Sequence, residues 1–169
     1  MVNTKATSPH STKQTILVVD DEMTIFRQCV LILEHQGFSV LQATDSSEAL
    51  EIAEHHPGPI HLRLTDLLMH PPVSLASGAN EFPYVQGHEL VVHALRLRKD
   101  LRVILMSGNF DQDLAGYGIR RGGFPFLPKP FEAQALVALV RETLHEPPLS
   151  LERLTAGTSG KVLVGDGWF

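Results

Sequence analysis

Short apolar runs broken by acidic or small polar residues recur along this chain, each followed by a stretch whose apolar positions repeat at helical spacing. Ile16-Leu17-Val18-Val19 is continuous and largely β-branched, the pattern of a strand buried on both faces of a parallel sheet, and it stops at Asp20-Asp21. Glu22 to Gln36 then sets Phe26, Val30 and Leu33 on one stripe, with Gly37 placed to cap the helix. The unit repeats as a strand from Phe38 to Ala43 and a helix from Ser46 to His55 with Ala49, Leu50 and Ala53 inward, closed by Pro57-Gly58-Pro59.

A third strand, Ile60 to Thr65, ends at Asp66. After a long loop, Gly87 to Lys99 carries Leu90, Val91, Ala94 and Leu95 at helical spacing, and Arg102 to Met106 forms a fourth strand ending at Ser107. Phe124 to Leu127 is the fifth, and Pro128-Lys129-Pro130 leads into a helix from Phe131 to His145 with Leu136, Val137, Val140 and Leu144 inward. Asp111 to Arg121 makes the weakest helix, because Gly116 and Gly118 each cost roughly 1 kcal/mol relative to alanine. Five βα units in succession predict an α/β fold, a doubly wound parallel sheet with helices on both faces.

Composition narrows the class. With 169 residues, 43% of them hydrophobic and 20% charged, the chain can build one ordinary core but not two. The expected division is a leader over residues 1–14, a domain over 15–146 and a tail over 147–169. The tail's last stretch, Lys161 to Phe169, reads as a strap on the domain, a disordered end or a partner-docking segment. Cys29 is the single cysteine, so no internal disulfide forms; it reads as a small buried hydrophobe in a reducing, cytoplasmic compartment. No apolar run approaches the roughly 18 residues of a membrane span, and the N-terminus lacks the apolar centre of a secretory signal. A net charge of −5 argues against nucleic-acid binding.

Ligands in a doubly wound sheet bind beyond the carboxyl ends of the strands, where strand order reverses. That rule gathers Asp20, Asp21, Asp66, Ser107 and Lys129 at one edge. Taken singly, each has an ordinary structural explanation: a helix cap, a turn serine, a surface lysine. Together at strand ends they form an acidic cluster that a hard divalent cation such as Mg²⁺ would neutralise, with a hydroxyl and an ammonium for phosphoryl oxygens. One carboxylate free to attack phosphorus would give an acyl phosphate. His55-His56, His61, His70, His88 and His93 lack a compact ligand spacing, so no transition-metal site is expected. Gly157-Thr158-Ser159-Gly160-Lys161 lacks the spacing and context of a phosphate-binding loop.

The segments Ile16-Leu17-Val18-Val19-Asp20-Asp21-Glu22, Asp66-Leu67-Leu68-Met69, Met106-Ser107-Gly108 and Phe126-Leu127-Pro128-Lys129-Pro130-Phe131 make the chain resemble the receiver domain of bacterial two-component response regulators. The resemblance implies a flavodoxin-like, five-stranded sheet in the order 2-1-3-4-5. It implies a phosphoacceptor role for Asp66, with Asp21 ligating Mg²⁺, Asp20 assisting through water and the Leu68 backbone carbonyl as a further ligand. Ser107 and Lys129 would contact the phosphoryl group, Ser107 and Phe126 would form the switch, and the Lys129–Pro130 peptide would be cis. A sensor histidine kinase or phosphotransfer protein would supply the phosphoryl group.

Two departures from such domains stand out. In place of a short turn between the phosphoacceptor and the third helix lies an insertion over about 70–86, with Pro71-Pro72, Pro83, Val73, Leu75, Phe82, Tyr84 and Val85, expected to be an ordered loop serving as passenger, lid or partner contact. No output domain is expected after His145. The expected function is therefore a single-domain response regulator, catalysing its own phosphorylation and slow dephosphorylation and signalling through protein binding or onward relay. The alternative is a receiver-shaped interaction module working without phosphate.

Overall fold

The computed structural model describes residues 13–69, 85–108 and 123–149. Its main sheet contains β1 (Thr15–Val19), β2 (Ser39–Ala43), β3 (Leu62–Asp66), β6 (Arg102–Ser107) and β7 (Phe126–Pro128), all parallel, in the order β2-β1-β3-β6-β7. This is the expected 2-1-3-4-5 sequence of the five sheet strands. Pro128 ends β7, an edge strand, where a missing N–H costs no ladder bond. The helices are α1 (Met23–His35), α2 (Ser46–His55), α3 (Gly87–Leu97) and α4 (Ala133–His145). Among the described residues no helix is long and apolar enough to cross a membrane.

Side chains alternate across the sheet into two cores. Ile16, Val18, Leu62, Leu64, Ile104, Met106 and Leu127 meet Phe26, Cys29, Val30 and Leu33 of α1 and Leu136, Val140 and Leu144 of α4. Leu17, Val19, Val103 and Leu105 turn to the opposite face, under Ala49 of α2 and Val91, Ala94 and Leu95 of α3. Val137 is a difference from the sequence reading: it is half-buried and lines a surface groove between α1 and α4 with Leu31 and Ile32 instead of entering the core. Leu136, one residue earlier, already fills the inward position.

Helix ends follow local chemistry. Gly37 takes φ 90° just after α1, a conformation that penalises any Cβ. Asp45 caps α2 by accepting the Glu48 N–H at 2.9 Å, and Glu48 in turn accepts the Thr44 N–H at 2.8 Å. The only apolar residues α2 buries completely are Ala49 and Ala53, so it gains far less from burial than α1, where a large side chain contributes roughly 1.5–3 kcal/mol. Arg98 compensates: its guanidinium donates to the carbonyls of Ala53 (2.6 Å), His56 (2.6 Å) and Gly58 (2.8 Å), stitching the end of α3 to the end of α2. Arg98→Ala leaves three carbonyls without these donors and is expected to cost about 2–3 kcal/mol in urea unfolding, with Arg98→Lys recovering only part.

The α2/α3 face of β3 buries two polar residues, Thr65 and a cation. Arg63, between Leu17 and Val103 on the α2/α3 face, is 0% exposed, and none of its three side-chain nitrogens has a hydrogen-bond partner among the described residues. Burial pulls its pKa down to about 10, which still leaves it cationic at neutral pH.

After β3 the chain forms a second, two-stranded sheet: β4 (Leu68–Met69) pairs antiparallel with β5 (Val85–Gln86), the register joining Leu68 to Gln86 and Met69 to Val85. The insertion expected over about 70–86 thus has its last two residues in a ribbon that runs straight into α3. Its remaining residues, 70–84, lie outside the described part, as do the leader through residue 12, the helix expected from Asp111 to Arg121 and the tail beyond Leu149.

Candidate phosphoryl-transfer site

Strand register brings the site together. Val19 pairs with Thr65, so Asp20 and Asp66 emerge side by side; Asp66 pairs with Met106, putting Ser107 one step on; and Ser107 pairs with Pro128, putting Lys129 one step further. One carboxylate oxygen from each of Asp20, Asp21 and Asp66 lies within 4.8 Å of the others. Lys129 Nζ stands 2.6 Å from Asp20 Oδ2 and 3.0 Å from Asp66 Oδ2. Asp20 Oδ1 accepts the Glu22 N–H at 2.9 Å and Asp66 Oδ1 accepts the Leu68 N–H at 3.3 Å, so the backbone fixes both carboxylates. Asp66, Ser107 and Lys129 line one cavity of about 350 Å³ together with Glu22, Ile25, Leu68, Gly108 and Pro130. The Lys129–Pro130 peptide is cis, as expected.

All five residues singled out by strand-end position therefore converge. Asp20 is fully buried, Asp21 half-buried, Asp66 7% exposed and Ser107 2% exposed. Phe126 stands one strand away, half-buried and packed against the α2/α3 core. Glu22 was missed by sequence reasoning: its carboxylate comes 4.0 Å from Lys129 Nζ. The signal available was its place directly after Asp20-Asp21. Cys29, buried beneath the site, is pushed up to about 12 by burial, with the Asp20 charge adding to the shift, so it remains an inert thiol.

Burial dominates the electrostatics. It raises Asp66 to about 6; Lys129 pulls the value back and Asp20 adds to the rise. Asp20 is raised as well, again chiefly by burial and against the pull of Lys129. Burial alone would lower Lys129, but the carboxylates of Asp66 and Asp20 outweigh it and hold the ammonium above its ordinary value. Between the ordinary aspartate value and about 6, the folded protein holds more protons on Asp66 than the unfolded chain does, so this group's contribution to stability falls as pH rises through that window. In chelator, wild-type stability relative to Asp66→Asn is expected to drop by on the order of 3 kcal/mol from pH 4 to 6.5. Parallel pH profiles of the two proteins would contradict the burial of an incompletely compensated charge there.

The chain belongs to the response regulator receiver domain family, whose model matches residues 16–141. It is 29% identical over 132 residues to the sensor kinase CckA of Brucella abortus and 33% identical over 131 residues to the nitrogen assimilation regulatory protein NtrX of Azorhizobium caulinodans. These matches cover 78% and 77% of this chain but only 13% and 26% of those relatives. Among solved structures, the receiver domain of the hybrid histidine kinase CckA matches with TM-score 0.58 at 30% identity, covering 78% of this chain and 99% of that one. A CheY-like receiver domain protein from Methanospirillum hungatei matches in fold, with TM-score 0.62 at 24% identity, covering 86% of this chain and all of that one. Aspartyl phosphorylation at an acidic, Mg²⁺-binding pocket is a general feature of this family, and receiver domains work with histidine kinases or phosphotransfer proteins.

Proposed function

We propose that this domain accepts a phosphoryl group on Asp66 from a phosphohistidine donor and signals through the resulting acyl phosphate, by protein binding or onward relay in the cytoplasm. The observation that carries the reading is the three-carboxylate cluster beside Lys129, with Asp66 and Lys129 lining a cavity open to a small ligand. Buried carboxylates held this close repel one another, and hard oxygen donors suit Mg²⁺. Asp20, Asp21, Asp66 and the Leu68 backbone carbonyl would hold the ion, which supplies neutralisation of the carboxylates and of the charge on the phosphoryl oxygens. Asp66 attacks phosphorus through a carboxylate oxygen; that O–P bond forms as the donor's N–P bond breaks, and the imidazole leaves with its electron pair and takes up a proton. Lys129 pairs with the phosphoryl oxygens and Ser107 donates its hydroxyl to one of them.

Ser107 and Phe126 are assigned the switch. Phe126 has no hydroxyl, so it responds to a shift of Ser107 through packing alone. The reading without phosphate lacks a reason for the cluster, since three carboxylates facing one ammonium are only partly compensated, which costs stability, and a scaffold gains nothing from them. Incubation with Mg²⁺ and a small-molecule phosphodonor such as acetyl phosphate is expected to add one phosphoryl group, seen by intact-mass spectrometry and abolished by chelator. A folded, Mg²⁺-supplied protein that gains no mass would overturn the proposal.

A further inference from the structure

The two faces of the sheet are not equally secure. On the α1/α4 face the buried strand residues before Asp66 at the end of β3 are aliphatic or methionine, and α1 alone contributes Phe26, Cys29, Val30 and Leu33. On the other face the middle strand presents Arg63, fully buried between Leu17 and Val103 and without a hydrogen-bond partner among the described residues. A guanidinium keeps its charge in such a place, so the closed state carries an unpaid desolvation that any opening to water relieves. In the layer above, α2 is lightly anchored, with Ala49 and Ala53 as its buried apolar residues, while α3 buries Val91, Ala94 and Leu95. Arg98 binds the ends of α2 and α3 through three backbone carbonyls, so neither helix lifts alone.

We propose that α2 and α3 form one cooperative opening unit over Arg63, which detaches from the sheet while β1, β3, α1 and α4 stay folded. The unit is distinct from the phosphoryl site. Arg63 lies on β3 three positions before Asp66, on the face away from α1, and it lines no part of the cavity that holds Lys129. Local openings of this kind are drawn from the parts of a structure with the fewest compensating contacts, and hydrogen exchange reads them directly.

Native-state hydrogen exchange by mass spectrometry tests the proposal on the full chain. Peptides from α2 and α3 are expected to exchange together, at least about tenfold faster than peptides from α1 and α4. Arg63→Met, which keeps the length and removes the charge, is expected to slow α2 and α3 by at least about tenfold and to leave α1 and α4 near their original rates, with Arg63→Leu behaving alike. Equal protection of all four helices in the wild type would overturn the idea. So would an Arg63→Met or Arg63→Leu protein whose α2 and α3 exchange as fast as before.

Discussion

Asp66→Asn is expected to bring phosphoryl uptake down to the assay background while the protein stays folded. Asparagine has almost the same shape and retains an oxygen to accept the Leu68 N–H that Asp66 Oδ1 accepts at 3.3 Å. What it loses is the anionic oxygen that attacks phosphorus, and no other carboxylate has that role in the proposed chemistry. The loss is therefore chemical and not architectural. The substitution also removes a carboxyl that burial has raised to about 6, so the variant is expected to be the more stable protein at pH 7 in chelator. Intact-mass spectrometry with acetyl phosphate and urea unfolding at pH 7 check the two halves separately. Mass gain persisting in Asp66→Asn would move the acceptor to another residue.

Arg63→Leu is expected to raise stability by about 2–4 kcal/mol, or roughly 10 °C in melting temperature. Leucine restores the aliphatic character of a strand in which Leu62 and Leu64 are already buried, and it removes a charge that meets no acceptor among the described residues. The volume lost from arginine to leucine works against the gain and is the reason to measure Arg63→Met beside it, since methionine fills an irregular space better. Urea unfolding midpoints decide the matter. A loss of stability in both variants would mean that the guanidinium is paid for by an interaction outside the described residues.

The βα alternation and the strand order were legible because parallel strands buried on both faces read as continuous aliphatic runs, and Ile16 to Val19 is such a run. Site residues were legible for a topological reason. Each stands immediately after a strand, and parallel register carries strand ends to one edge without any knowledge of side-chain contacts. Element boundaries moved by one or two residues: β3 begins at Leu62 where Ile60 was expected, and α4 begins at Ala133 where Phe131 was expected. Both shifts lie where flanking prolines or loop residues leave the apolar pattern silent about the first hydrogen bond.

Three features were beyond pattern reading. The ribbon of β4 with β5 consists of two residues on each side, too few for alternation to register, and pairs Leu68–Met69 with the last two residues of the insertion. Arg63 was visible as a letter between Leu62 and Leu64, but amphipathic reasoning treats a charge in a strand as solvent-facing, and this sheet has no solvent-facing side at β3. Glu22 escaped for a related reason: whether a carboxylate after a paired aspartate turns toward the lysine depends on the first turn of α1, which no spacing rule specifies.

The ribbon also bears on how such a chain can diversify. Because Met69 and Val85 are paired, both ends of the sequence between them are held at one point of the domain. Lengthening it adds closure entropy only slowly, about 0.6 kcal/mol for each doubling, and moves neither the strand that ends in Asp66 nor the helix that starts at Gly87. A change of length between these two anchors leaves them in place, making the ribbon a natural port through which a new recognition element could be grafted beside an unaltered acceptor.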